Sequence, residues 1–367
     1  MIYLDYGATS FHKPAAVYRA VERAMRTCAN PGRGGYDGAM KAAETVYDCR
    51  EAAGKLFSCK PEQVVLTTSC THGLNLAIRS LVKSEAAVVT TGFEHNAVMR
   101  PLYALNARIR IAGRRLFDWD DTLAQFENAL QGADAAVFTH VSNVFGYILP
   151  VGEMAAMCRS RGIPFILDAA QSAGTLPVNF RELGADFVAM PGHKGLLGPQ
   201  GTGLLLCAQP GTPLLYGGTG TQSLSREMPE ELPERLEAGT LNVPGYAGLT
   251  QGLRYLNRVG TEGGFRREQG LAEHCAHGLI RQGFRVFAGP HQGATVSFVP
   301  SVDCETGAEI LARQGFAVRA GLHCAPLAHE SAGTLSTGTI RVSLGYDTTP
   351  GEIDGFLRAT AKIRGNR

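Results

Sequence analysis

Short apolar runs alternate with helix-length amphipathic segments through the first two thirds of the chain, and this alternation restricts the fold more than any other feature. The runs are QVVLT at 63–67, AAVVT at 86–90, AAVFT at 135–139, PFIL at 164–167, FVAM at 187–190 and GLLL at 203–206. Strands apolar at consecutive positions bury both faces, which needs helices on both sides of the sheet and therefore a mostly parallel α/β arrangement. The first five runs lead into polar or glycine-rich residues, at 68–73, 94–96, 142–143, 168–171 and 192–194. Ligands of open α/β sheets bind where the strands end, so these segments are expected to converge on one crevice.

The 367 residues exceed the roughly 250–300 at which single cores stop growing. A large domain over 16–260 and a smaller α+β domain built from 1–15 and 261–367 are therefore expected. The smaller one begins after GTEGG with a helix-like stretch at 265–282 and continues through strand-like pieces such as ATVSFV at 294–299. A formal net charge of +2 supplies no bulk attraction to nucleic acid or an anionic membrane, so neither is expected as a partner. The opening MIYLDY has no basic segment leading to an apolar stretch and cleavage site, and no apolar run reaches spanning length, so a soluble, cytoplasmic protein is expected. Nine cysteines lie scattered without a C-x-x-C pair, which suggests neither a disulfide frame nor a metal site. The basic end at 362–367 reads as a frayed helix terminus.

MPGHKGLLGPQGTG at 190–203 is the most informative stretch. Lys194, next to glycine just past a strand, can reach into a cleft and condense with an aldehyde cofactor. Upstream, LDAAQSAG at 167–174 puts Asp168 at the end of a buried run. Pyridoxal phosphate (PLP) needs an anion beside its ring nitrogen, because the protonated ring is the better electron sink. Asp168 can supply that anion; its alternative role is to cap a following helix. Gln171 is a donor suited to the ring's phenolic oxygen.

These two motifs, with Asp168 and Lys194 at their spacing, resemble the class V aminotransferase superfamily, in its SufS-like cysteine desulfurase and selenocysteine lyase branch. The similarity runs in order through LDYGATSFHKP, NPGRGGY, TTSCTHGLN, FEHNAV, SNVFG, LDAAQ, GHK, EAGTLNVPG, RAGLHCAP and TIRVSLGYDT. It implies the fold type I of PLP-dependent transferases, with a seven-stranded-type sheet. It assigns ring stacking and proton movement to His95, and places Asn143 near the ring and the substrate carboxylate. Thr71, His72 and Gly73, ahead of a helix expected at 74–82, would receive the phosphate at a helix N-terminus. His193 should lie on the same side, although Thr71 as a plain helix cap stays open. Gly239 and Thr240 of EAGTLN match the segment that the family lends to the other subunit's site, which implies a homodimer. Two residues depart from the pattern. Pro191 stands where the family usually has serine, and His72 where it usually has glutamate, so the phosphate contacts cannot all be the usual ones.

RAGLHCAP at 319–326 resembles the family segment whose cysteine is the nucleophile, which assigns that role to Cys324. Neighbouring arginine and histidine can lower a thiol's pKa. Only a short segment separates Cys324 from Arg341, so sulfur would be delivered locally, to an acceptor protein that docks. Arg341 matches the arginine that takes the substrate carboxylate, with Arg319 in reserve. The implied activity is conversion of L-cysteine to L-alanine with sulfur left on Cys324 as a persulfide. A selenocysteine lyase shares every motif named. Another class V reaction, such as aminotransfer or a different carbon–sulfur cleavage, would need no protein thiol, and a catalytically silent scaffold would not need Lys194, Asp168, His95 and Cys324 together.

Overall fold

A computed structural model describes residues 1–32 and 34–363; Arg33 of the NPGRGGY segment and the basic end at 364–367 lie outside the described residues. The strands are β1 (Ile2–Tyr3), β2 (Val64–Thr67), β3 (Ala87–Thr91), β4 (Arg108–Ala112), β5 (Ala135–Thr139), β6 (Phe165–Asp168) and β7 (Phe187–Pro191), followed by β8 (Gly203–Cys207), β9 (Arg285–Phe287), β10 (Thr295–Val299), β11 (Phe316–Ala317), β12 (Arg319–Gly321) and β13 (Thr339–Ser343). Seven of them form one sheet in the order β2-β8-β7-β6-β5-β3-β4. Six run the same way, and β8 runs against both its neighbours. The mostly parallel sheet follows from the chemistry of its strands, because β2, β3, β5, β6, β7 and β8 are buried at every position.

Alternate residues of each strand enter different cores, as the twofold pleat demands. Ala136 and Phe138 of β5 face one side, packing with the helices Asp37–Phe57, Trp119–Ala129 and Val243–Val259, whereas Ala135 and Val137 face the helices Cys70–Leu81 and Asn96–Ala104. A third core lies in the smaller part of the chain, where the helices Glu262–Arg281 and Pro350–Thr360 cover the antiparallel sheet β12-β13-β10-β9. Leu4 belongs to this third core, and β1 pairs in parallel with β11. No helix among the described residues is long and apolar enough to cross a membrane.

Two local expectations need correction. The helix expected at 74–82 spans Cys70–Leu81, because Ser69 caps it by accepting from the His72 N–H at 3.1 Å. Thr71, His72 and Gly73 therefore lie inside its first turn. Asp168 caps no helix: 170–175 form turns, and its Oδ1 accepts from the Ala170 N–H at 2.9 Å.

Candidate active site

The carboxyl ends of β3, β5, β6 and β7 bring the sequence-predicted residues to one cleft. Lys194 stands three residues past β7 in a tight turn closed by Leu197 N–H to the Lys194 carbonyl at 2.9 Å and Gly198 N–H to the Gly192 carbonyl at 2.7 Å. Glycine is required beside it, since a Cβ on Gly195 would lie 2.4 Å from the Ala173 carbonyl oxygen. Burial, then the nearby Arg341 guanidinium, hold the Lys194 ammonium below the usual lysine range. Asp168 is buried at the end of β6, and both its protein bonds fall on Oδ1: the Ala170 N–H and the Cys70 thiol, at 3.5 Å. No donor among the described residues reaches Oδ2. Burial raises this carboxyl's pKa, while the Lys194 charge opposes the rise.

His95 caps the helix Asn96–Ala104, its Nδ1 accepting from the Ala97 N–H at 3.0 Å. A neutral ring in that contact carries its proton on Nε2. Desolvation, followed by the charges of Lys194, Arg100 and Arg341, lowers its pKa to about 4, so it is neutral near pH 7. Beneath it, Glu94 is fully buried and ties the ends of β3 and β5 together. Its Oε1 accepts from the Thr91 N–H, the Thr91 hydroxyl and the Thr139 N–H, and its Oε2 has no partner. Burial pushes this carboxyl up to about 8, so it is mostly protonated at neutral pH.

Cys324 is the one exposed cysteine of the nine. It sits on a turn closed by Ala325 N–H to the Leu322 carbonyl, with both His323 (φ 50°) and Cys324 (φ 56°) in the left-handed region that side chains usually avoid. Two contacts from the large sheet's loops hold this conformation. Asn143 Nδ2 donates to the His323 carbonyl at 2.8 Å, and the Asn96 N–H donates to the Cys324 carbonyl at 2.8 Å, directly after His95. His323 itself is buried, its Nε2 3.3 Å from the Thr339 hydroxyl, and burial lowers its pKa to about 2. His323 is therefore neutral near pH 7 and offers the thiol no positive charge.

Arg341, in β13, is 2% exposed. One terminal nitrogen donates to the Asn143 carbonyl at 2.9 Å and the other to Asp5 Oδ1 at 2.7 Å, while Nε has no partner. Arg319 donates to the other Asp5 oxygen at 3.1 Å, so Asp5 bridges the two arginines. Gln171 turns its amide nitrogen to the Gly7 carbonyl at 2.9 Å. His193 Nδ1 lies 3.0 Å from the Thr9 hydroxyl, and burial lowers its pKa to about 4. Thr71 is exposed, and His72 Nδ1 lies 3.4 Å from the Thr68 hydroxyl. No acceptor among the described residues meets the N–H groups of Cys70 and Thr71, which leaves them for an anion at the positive end of that helix.

Gly239 and Thr240 are not brought to Lys194. They are exposed and line a separate hollow with Asn30 and Gly218. Glu237, just before them, is buried and makes a bidentate pair with Arg50, at 2.8 and 2.7 Å, and accepts from the Leu66 N–H. Glu237→Ala leaves a buried guanidinium without its partner and is expected to cost about 3–5 kcal/mol, read as a lowered urea midpoint. A loss below about 1 kcal/mol, the range of an exposed pair, would show that the pair does not anchor this segment.

Three residues of this cleft were not singled out from sequence: Asp5, Cys70 and Glu94. Each lies inside a motif already quoted, LDYGAT, TTSCTHG and FEHNAV, but only contacts distant in sequence reveal what they hold.

A cleft with these groups can accept an aldehyde at a desolvated lysine, an anion at a helix N-terminus, and a carboxylate at a buried arginine with a free Nε. Comparison with known proteins agrees with that chemistry. The sequence model of the family described as Aminotransferase class-V matches residues 2–356. A probable cysteine desulfurase of Methanothermobacter thermautotrophicus is 31% identical over 383 residues, covering 99% of this chain and 95% of that protein. A cysteine desulfurase of Haloferax volcanii is 31% identical over 386 residues, covering 99% and 89%. Among solved structures, the apo cysteine desulfurase of Thermococcus onnurineus NA1 superposes with a TM-score of 0.90 at 30% identity, covering 99% of this chain and 94% of that one.

Proposed function

The chain belongs to the aminotransferase class-V family, and on that footing we propose that it is a PLP-dependent cysteine desulfurase that converts L-cysteine to L-alanine and takes the sulfur onto Cys324. The observation that carries the reading is the placing of the one exposed cysteine on a turn whose two carbonyls are bonded by Asn143 and Asn96, beside His95.

The residues present fit PLP. Lys194 would hold the aldehyde carbon, Asp168 has an oxygen free for a ring N–H, and the Cys70 and Thr71 N–H groups with the Thr71 hydroxyl suit a phosphate. His193 borders the Lys194 turn, and His95 would lie against the ring. Gln171, already bonded to Gly7, has one amide hydrogen left for the ring's oxygen. When bound, the cofactor supplies an electron sink that makes the substrate α-proton acidic, most effectively with the Asp168 carboxylate beside its ring nitrogen.

The chain's own groups do the rest. The buried Arg341, through its free Nε edge, receives the substrate carboxylate, and the orphaned Asn143 Oδ1 beside it can accept the substrate's N–H. The two together fix the substrate's orientation. Because burial favours the neutral amine, Lys194 is suited to taking the α-proton. His95, neutral and protonated on Nε2, can return a proton. The Cys324 thiolate attacks the substrate sulfur: an S–S bond forms, the Cβ–S bond breaks, and its electron pair stays with Cβ, which takes a proton to give the methyl of alanine. No outside oxidant or reductant is needed. A second thiol, on an acceptor that docks over the exposed turn, would then carry the sulfur away.

After brief incubation with L-cysteine, the peptide containing Cys324 is expected to gain one sulfur atom by mass while alanine accumulates. Added sulfur on another cysteine, or sulfide without alanine, would remove the reading. The ratio of alanine released from cysteine and from selenocysteine decides between the two substrates.

The exposure of Gly239 and Thr240, away from this chain's own Lys194, supports a homodimer in which each subunit lends them to the other's site. Light scattering at micromolar concentration is expected to give twice the chain mass, and the dimer to be weakened by Thr240→Arg. A monomer with cofactor bound would refute the arrangement.

A further inference from the structure

Arg319 and Arg341 stand directly opposite each other in the antiparallel pairing of β12 with β13, so their side chains leave the same face of that sheet. Like charges placed this way destabilise a sheet, and stability alone gives no reason to keep both. Asp5 sits across the two. Arg341 Nη2 donates to its Oδ1 at 2.7 Å and Arg319 Nε to its Oδ2 at 3.1 Å, which engages both carboxylate oxygens. The backbone on either side of Asp5 is fixed. The Ser343 N–H donates to the Leu4 carbonyl at 2.9 Å, the Tyr6 N–H to the Ser343 carbonyl at 3.2 Å, and the Tyr3 hydroxyl to the Asp5 carbonyl at 3.0 Å.

The three charged side chains differ in depth, with exposures of 3% for Arg341, 13% for Asp5 and 51% for Arg319. Arg341 forms the floor and Arg319 reaches solvent, yet the Arg319 charge is near enough to act on Lys194. From Arg319, β12 runs on toward the Cys324 turn. Arg319 is thus the cation on the strand that joins the carboxylate seat to the thiol. Two guanidinium groups and one carboxylate leave a single positive charge, which one substrate carboxylate neutralises. A second carboxylate, on the substrate's side chain, would find Arg319 already paired and would meet Asp5 as a like charge.

We propose that Asp5 sets the substrate class of this cleft: by engaging Arg319 it admits amino acids with one carboxylate and an uncharged side chain, and disfavours dicarboxylates. The inference rests on the proposed function, in which Arg341 takes the substrate carboxylate. L-cysteine, its thiol mostly protonated near pH 7, belongs to the admitted class.

L-aspartate and L-asparagine are the probes, because they match in size and differ by one charge. Their dissociation constants for the holoprotein are read from the change in its visible absorbance at pH 7. The parent is expected to bind L-asparagine about tenfold or more tightly than L-aspartate. Asp5→Asn keeps the size of the side chain but leaves Arg319 uncompensated, so L-aspartate should gain on L-asparagine by about tenfold or more, the effect of one charge pair in a partly desolvated site. A merely structural role would weaken both ligands alike and leave their ratio unmoved. Arg319→Gln removes the cation and leaves the carboxylate, so the ratio should move the other way, further against L-aspartate. Because Arg319 is half exposed, this variant should fold, and it decides the matter if Asp5→Asn does not. A parent that binds L-aspartate as tightly as L-asparagine, or a ratio unchanged in the variants that fold, overturns the proposal. L-cysteine checks the underlying reading separately. If it leaves the parent's absorbance unaltered, the proposed function falls and this inference with it; a response to L-cysteine with an unmoved ratio sinks only the role given to Asp5.

Discussion

Lys194→Ala is expected to lose turnover of L-cysteine, by roughly 10²–10⁴-fold from proton transfer alone and by more if attachment of the cofactor is lost with it. The yellow absorbance of the parent should vanish or change shape. The substitution deletes a side chain whose ammonium is disfavoured by burial and by Arg341. The turn itself is held by backbone bonds and by the close approach of Gly195 to Ala173, so the variant should fold with an unchanged urea midpoint. An unaltered spectrum in a folded variant would take Lys194 out of its role.

Cys324→Ala should separate the two halves of the reaction. Lys194, Asp168, His95 and Arg341 are untouched, so the variant should bind cofactor and still show a spectral response to L-cysteine. Alanine release should fall roughly a hundredfold or more, and no sulfur should be found on the protein, because the attacking atom is gone. The turn should survive, since the Asn96 bond is to the Cys324 carbonyl and the Asn143 bond to the His323 carbonyl. Selenocysteine should be affected less, as selenium leaves carbon more readily. Turnover of cysteine at the parent rate would make Cys324 an incidental cysteine and favour an elimination that needs no protein thiol.

What could be read from the sequence divides along physical lines. The central strands were legible because burial on both faces leaves unbroken apolar runs, as in AAVFT of β5. Strand β4 was not, because it lies at the sheet's edge and alternates arginine with isoleucine; Arg110 reaches back to the Ala129 carbonyl. The reversal of β8 carries no signature, since its residues are as apolar as those of its parallel neighbours. In the cleft, residues with conspicuous local motifs, such as Lys194 and Asp168, stood out from sequence alone, and the structure brings these two near each other. The partnership of Asp5 with Arg341 and Arg319 did not stand out, because two contacts across more than 300 residues leave no local trace. The neutral state of His323 was missed for a similar reason. A histidine next to a cysteine in sequence suggests a cation, but burial against Thr339 and His329 sets the charge.

The threading of the first ten residues bears on how the chain can be made. Asp5 waits for Arg319 and Arg341, β1 for β11, and Ser10 for the His193 carbonyl, so this segment finds most of its partners only after residues about 300 positions further along have been made. Until then Arg341 has not been made and the Cys324 turn has no sheet to stand on, so a nascent or truncated chain holds Lys194 without the thiol proposed to work with it.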